Sequence, residues 1–235
     1  MRRGQPDDIV FSIAEHCLDP REIARMEFDA FLKLVISRKI RIEQERRLRS
    51  IWEVANETTG CLVHEAAKWE AKTLVKQLKA LRETVSETEE RMATVAKRFP
   101  EYQCLLSIPG FGPILSAMVL GAIGNPTKFV NRRQILRLAG LDLSASRSGK
   151  TSDSAKPVIS KQGKAALRYA LVQAAIVAAR ANPTIKTYFE RLIKGRELER
   201  GINLKMKVKL AAKLLIVAWT LMTRREQFKV SCFQA

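Results

Sequence analysis

The sequence predicts an all-α protein in two parts. Long antiparallel coiled-coil helices are expected over residues 1–100, and a compact basic helical domain with a helix-hairpin-helix-like motif over 101–235. Three observations carry this. Aromatic residues are only 6% of the 235, with 11 Gly and 8 Pro, too few strand formers and breakers for a sandwich of short strands. The stretch from Ala67 to Phe99 repeats apolar residues at heptad spacing. Elsewhere, apolar residues of helical period alternate with short turn signals.

The first part opens a helical run at Pro20 that is expected to reach about Ala55, with Phe28, Phe31, Leu34, Val35, Ile42, Leu48 and Trp52 as its apolar residues. Asn56 to Gly60, NETTG, is the turn that follows. The next helix carries Ala67, Ala71, Leu74, Leu78, Leu81, Val85, Met92, Val95 and Phe99 in steps of four and three, interrupted by Thr88. Charged residues such as Lys72, Lys76, Glu83 and Glu87 occupy the faces between, and Pro100 is expected to end the helix. A heptad seam of this kind is an assembly surface, so the expected oligomer is a homodimer or higher.

The second part begins with LLSIPGFGPILSAMVL, from Leu105 to Leu120. Gly110 and Gly112 permit a tight turn between two apolar helices, and the free amides of the second helix could hold a nucleic-acid phosphate. A purely structural turn is the competing reading, because Ile114 and Leu115 stand where many such hairpins have a Lys. A short helix around Ile135 to Ala139 ends at Gly140, and residues 142–156 form a Ser-, Gly- and Lys-rich loop. A helix then begins near Lys164, with Leu167, Leu171, Ala174, Ala175 and Ala178 on one face. Asn182-Pro183 caps a further helix that Gly201 breaks, and Leu204 to Met222 makes the last one, whose Trp219 end is core packing.

Charge separates the two parts. Residues 1–100 hold 19 basic and 17 acidic side chains, whereas 101–235 hold 23 and 7, within a net charge of +18. A cationic half with few acids favours a polyanion, so DNA is the expected partner. No apolar run reaches the roughly 18 residues that span a bilayer, so no membrane partner is expected. The start, MRRGQPDDIVFSIAEH, breaks into acids before any signal-peptide core. Cys17, Cys61, Cys104 and Cys232 are scattered, and His16 and His64 are expected on helix surfaces. This describes a soluble protein of a reducing compartment, cytoplasmic and nucleoid-associated, with no metal site built from Cys and His.

Within the loop, Ser148 lies between Arg147 and Gly149, with Lys150 next. Two cations beside a hydroxyl can stabilise a pentavalent phosphate while the hydroxyl attacks it. On residue type alone, Ser144, Ser146, Ser152 and Ser154 compete with Ser148 for that role.

The order SIPGFGPILSAMVLGAIG, AGLDLSASRSGK, ISKQGKAALRYALVQAA and KVKLAAKLLIVAWTLM resembles the IS-one-ten/Piv transposases and DNA invertases, over about Leu105 to Met222. The preceding long helices also look like that family's coiled coil. The family's loop pattern runs Gly-Leu, one residue, Pro, four residues, Ser-Gly, which falls on Gly140, Leu141, Ser148 and Gly149, with Leu143 in place of Pro. The resemblance implies transposition or site-specific recombination of an insertion sequence, with Ser148 as catalytic nucleophile forming a phosphoserine link to DNA. Our inference from charge and position adds Arg147, Lys150, Lys161 and Arg168 as phosphate-binding helpers. The resemblance further implies a structured guide RNA and a RuvC-like domain with acidic metal ligands. No such domain is evident here, so this chain is expected to bind no cofactor, with Mg²⁺ supplied only through a missing or partner RuvC-like domain. The alternative is a truncated, non-catalytic DNA- or RNA-binding remnant or accessory subunit.

Overall fold

A computed structural model describes residues 8–16, 19–36, 41–58, 60, 63–144 and 158–233. The fold is all-α, and the chain divides into two compact units, Met1–Ser86 and Glu87–Ala235. No described helix is long and apolar enough to cross a membrane.

The first unit contains α1 (Asp8–His16), α2 (Pro20–Ala24), α3 (Phe28–Val35), α4 (Ile42–Glu57) and most of α5 (Glu65–Ala96). The single helical run expected from Pro20 to Ala55 is instead three helices. Ile36 is extended (φ −117°, ψ 121°), which ends α3 and lets its face of Phe28, Phe31 and Val35 share a core with Leu48 and Ala55 of α4. One straight helix would have left that face without a partner. Trp52 closes the core: its indole N–H donates to the Met26 carbonyl at 2.8 Å, and its ring meets Phe28 edge-on at 6.0 Å. Asp19 caps α2 by accepting the Arg21 amide at 3.0 Å, and it also accepts the Arg21 guanidinium at 2.8 Å. Lys68 of α5 pairs with Glu22 at 2.6 Å, and Lys79 with Glu15 at 2.8 Å. Along α5, Leu74, Leu78, Leu81 and Val85 are 41% to 63% exposed, so most of the apolar seam faces outward.

In the second unit α5 ends at Ala96, and Pro100 opens the next helix rather than closing the last one. The residue before a proline is driven to extended backbone, as Phe99 is (φ −106°, ψ 127°), and proline fits the first helical position. There follow α6 (Pro100–Leu106), α7 (Pro113–Ile123), α8 (Arg132–Ala139), α9 (Ala165–Ala181), α10 (Pro183–Ile193) and α11 (Ile202–Arg224). Among the described residues the only strands are β1 (Leu143–Ser144) and β2 (Val158–Ile159), paired antiparallel. Helix α9 is the axis of this unit. Leu167, Ala170, Leu171, Ala174, Ala175 and Ala178 are fully buried, and its alanine face admits α7 and α11 at close range. Leu210, Ala211, Leu214, Leu215 and Ala218 of α11 complete the core. Trp219 packs beside it and donates to the Pro126 carbonyl at 3.0 Å.

Candidate nucleic-acid interface and the base of the serine loop

The site is built on α8 and the chain that leaves and re-enters it. Asn131 starts α8 by accepting the Arg133 and Gln134 amides at 3.0 and 3.1 Å, and the Gln134 side chain accepts the Val130 amide at 2.7 Å. This reciprocal cap fixes the helix start. Gly140 ends the helix in the left-handed region (φ 64°), with its amide on Arg137 and that of Leu141 on Leu136, both at 2.9 Å. That closure is a Schellman motif.

The chain then passes through β1, and it returns through β2. Leu143 pairs with Ile159 and Ser144 with Val158, so the two ends of segment 145–157 are held side by side. Below the strands, the Ser160 amide donates to the Asp142 carbonyl at 2.9 Å and the Ser160 hydroxyl to the Asp142 carboxylate. The Lys161 amide reaches the Gly140 carbonyl at 3.0 Å, and the Lys164 amide reaches Leu138 at 2.7 Å. Gly163 is pressed against this helix end. A Cβ there would lie 2.2 Å from the Gly140 nitrogen and 2.4 Å from the Leu138 oxygen.

Arg168, on the first turn of α9, sends one guanidinium nitrogen to the Ala139 carbonyl at 2.9 Å and to the Lys161 carbonyl at 3.4 Å. It therefore ties α9 to the loop base, a role that the sequence reading, which made it a phosphate helper, did not foresee. Lys161 is exposed at the same base, with left-handed backbone (φ 56°). Ser148, Arg147, Gly149 and Lys150 lie outside the described residues.

Gly110 and Gly112 are not equivalent. Gly110 has φ +90°, and a Cβ there would sit 2.4 Å from the Ala174 oxygen, so it is a close-packing residue against α9. Gly112 is the N-cap of α7 and has open space around it. The Tyr102 hydroxyl secures this turn through the Pro113 carbonyl at 3.2 Å. Gly110 meets α9 at Ala174 and Ala178, six and ten residues beyond Arg168, about 9–15 Å along the helix by its rise.

Cys104 is buried, and burial pushes its thiol up, which leaves it inert as a nucleophile. Among the described residues, no three His, Cys, Asp or Glu side chains converge to hold a metal ion. Gly163 is the residue that sequence reasoning missed, and its signal lay in the Lys-Gln-Gly-Lys run before α9, which reads as a mere helix entry until Gly140 is seen opposite.

Residues 102–190 match the family model described as Transposase IS116/IS110/IS902 family. This stretch is similar to the transposase domain of that insertion-sequence family. It runs from within α6 to within α10 and takes in the loop base and the Ser148 segment. Over 151 residues the chain is 30% identical to the "Transposase for insertion sequence element IS1111A" of Coxiella burnetii, covering 63% of this chain and 40% of that protein. Over 150 residues it is 27% identical to the "Insertion element IS900 uncharacterized 42 kDa protein" of Mycobacterium paratuberculosis, covering 63% and 36%. The chain thus spans about two fifths of the length of either relative.

Proposed function

We propose that this chain acts on insertion-sequence DNA in transposition or site-specific recombination, with Ser148 as the nucleophile. The observation that carries the reading is the transposase-family match over 102–190, which spans the serine loop. The Ser148 hydroxyl oxygen attacks a backbone phosphorus, forming an Oγ–P bond as the bond from phosphorus to one sugar oxygen breaks. The departing oxygen leaves as a hydroxyl, taking up a proton, and the serine proton passes to solvent. Because one phosphoester replaces another, the bond energy is conserved and a second DNA hydroxyl can reverse the exchange onto a new end.

Arg147 and Lys150 flank the reacting group in sequence and would neutralise the charge that builds on phosphorus. Pairing of β1 with β2 supports the reading, since it fixes both ends of the loop that carries them. DNA is further favoured by sequence charge: residues 102–190 contain twelve Lys and Arg but only Asp142, Asp153 and Glu190 as acids. The exposed start of α7 offers the Ile114 and Leu115 amides, which have no acceptor within the helix, as a sequence-independent phosphate grip. A structured guide RNA would meet the same cationic surface. The outward-facing α5 seam supports assembly of two or more copies. Mg²⁺ finds no ligand set among the described residues, and its place would be a RuvC-like domain outside them.

The test is excision and joining of element-end DNA by the chain supplied with a RuvC-like partner. Ser148→Ala is expected to abolish both steps while keeping salt-dependent DNA binding. Normal joining by that variant would refute the nucleophile. A second reading, a binding subunit without chemistry, rests on Leu143, which stands where the family pattern has Pro and lies in β1. It predicts the same binding and no covalent adduct.

A further inference from the structure

Beside the loop base, the second unit holds a shallow cavity of about 440 Å³ between α8, the turn before it and the 162–164 segment. We propose that this cavity binds one unpaired nucleotide of a nucleic-acid strand. The proposal rests on the nucleic-acid reading above and adds to it a form of ligand, single-stranded rather than duplex, and a place. Phe129 and Leu138 give the cavity an apolar wall, Gln134 and Gln162 place amides on it, and Arg137 and Lys164 supply cations. No Asp or Glu lines it.

Each component matches one part of a nucleotide. An aromatic and aliphatic wall suits a base face, a carboxamide can pair with a base edge, and an unpaired guanidinium suits a phosphate. Arg137 and Gln162 are both exposed, and neither side chain has a hydrogen-bond or ion-pair partner among the described residues. Gln134, by contrast, already spends its oxygen on the Val130 amide and keeps its NH₂ to offer. The frame is rigid, because Lys164 is tied through its ammonium to the Ala122 carbonyl at 2.7 Å and Gly163 is clamped against Gly140. A base stacked within a duplex cannot present its face to such a wall, whereas an unpaired one can.

The full chain is titrated, by fluorescence anisotropy, against a short labelled oligonucleotide of mixed sequence. The probe is supplied as single-stranded DNA, as single-stranded RNA and as the annealed DNA duplex. Gln162→Ala and Phe129→Leu are expected to weaken single-strand binding about five- to tenfold and to leave duplex binding within about twofold. Arg137→Gln should weaken single-strand binding and lower its salt slope by about 0.7. Loss with either polymer supports the cavity, and the polymer bound more tightly identifies the source of the nucleotide. Unchanged single-strand affinity in Gln162→Ala and Phe129→Leu, or an equal loss for duplex, would overturn the proposal in favour of a general phosphate-binding surface. Salt-dependent duplex binding without any effect of the cavity variants sinks this inference alone. Failure of the wild-type chain to bind any of the three probes sinks the nucleic-acid reading with it. Because Phe129 packs partly into the core, each variant's thermal midpoint is measured, and the exposed Gln162 keeps the test decisive if Phe129→Leu unfolds.

Discussion

Replacing Gly163 by alanine tests whether the loop base is as tightly clamped as its geometry implies. The new methyl would fall 2.2 Å from the Gly140 nitrogen, 2.4 Å from the Leu138 oxygen and 2.6 Å from the Ala139 carbonyl carbon, all of them backbone atoms. No side-chain rotation relieves contacts with backbone, so the 161–164 segment must move away from the end of α8. Overpacking of this kind costs about 1–3 kcal/mol. The displacement also strains the bond from the Lys164 amide to Leu138 (2.7 Å) and that from Arg168 to Ala139 (2.9 Å). At about 1 kcal/mol for each, the total is about 3–5 kcal/mol. For a chain of this size that lowers the thermal midpoint by about 6–20 °C. Thermal and urea unfolding followed by circular dichroism would read it, with Gly112→Ala as the control. Gly112 has ordinary φ (−76°) and open space, so alanine there costs less than about 1 kcal/mol, mainly through a poorer N-cap. Equal stability of the two variants would refute the clamp.

Three further expectations follow from particular contacts. Arg168→Ala should destabilise the second unit by about 1–3 kcal/mol, because two backbone carbonyls lose a charged donor, and should leave the salt slope of DNA binding unchanged. A slope reduced by about one would return Arg168 to the phosphate contacts. The Asp19 carboxyl is held down to about 2, first by its side-chain hydrogen bond with Arg21, then by the Arg21 amide. Its folded-state value is depressed, so its stabilising contribution is present above the unfolded value of 3.8 and is lost as pH falls toward 2. Asp19→Asn should therefore flatten the acid limb of stability in that window, and an unaltered limb in a pH series of urea melts would contradict this. Leu78→Lys with Val85→Lys should abolish the proposed self-association in sedimentation equilibrium, since both positions lie on the exposed α5 seam. A wild-type chain that stays monomeric at high concentration would remove the seam's proposed use.

Much of the helical inventory is legible in the sequence, because each boundary carries a local signal. Asn182-Pro183, Gly140 and the alanine-rich face of α9 all act where they stand. The break of the Pro20–Ala55 run is not of this kind. Residues 28–35 and 42–57 each have helical period, and what separates them is the gain from folding Phe28, Phe31 and Val35 into one core with Leu48 and Ala55, which is non-local. The same holds for the two hairpin glycines. Their dipeptide spacing makes them look equivalent, yet only Gly110 faces a backbone, that of α9, 64 residues later at Ala174. Arg168 carries a role that charge reasoning does not reach, since only the position of the Ala139 carbonyl shows that its guanidinium ties α9 to the loop base. The choice of Ser148 among the five serines within residues 144–154 rests on resemblance to a family pattern and not on residue type.

The central claim is the covalent step, and trapping it is the most direct measurement. The chain, with and without a RuvC-like partner and guide RNA, is mixed with labelled element-end DNA and Mg²⁺, denatured, and examined for a protein–DNA adduct by gel and peptide mapping. An adduct is expected in the complete mixture, mapped to Ser148 and absent from Ser148→Ala. Tight, salt-dependent binding with no adduct in the complete mixture, or an adduct that survives Ser148→Ala, would contradict the covalent step.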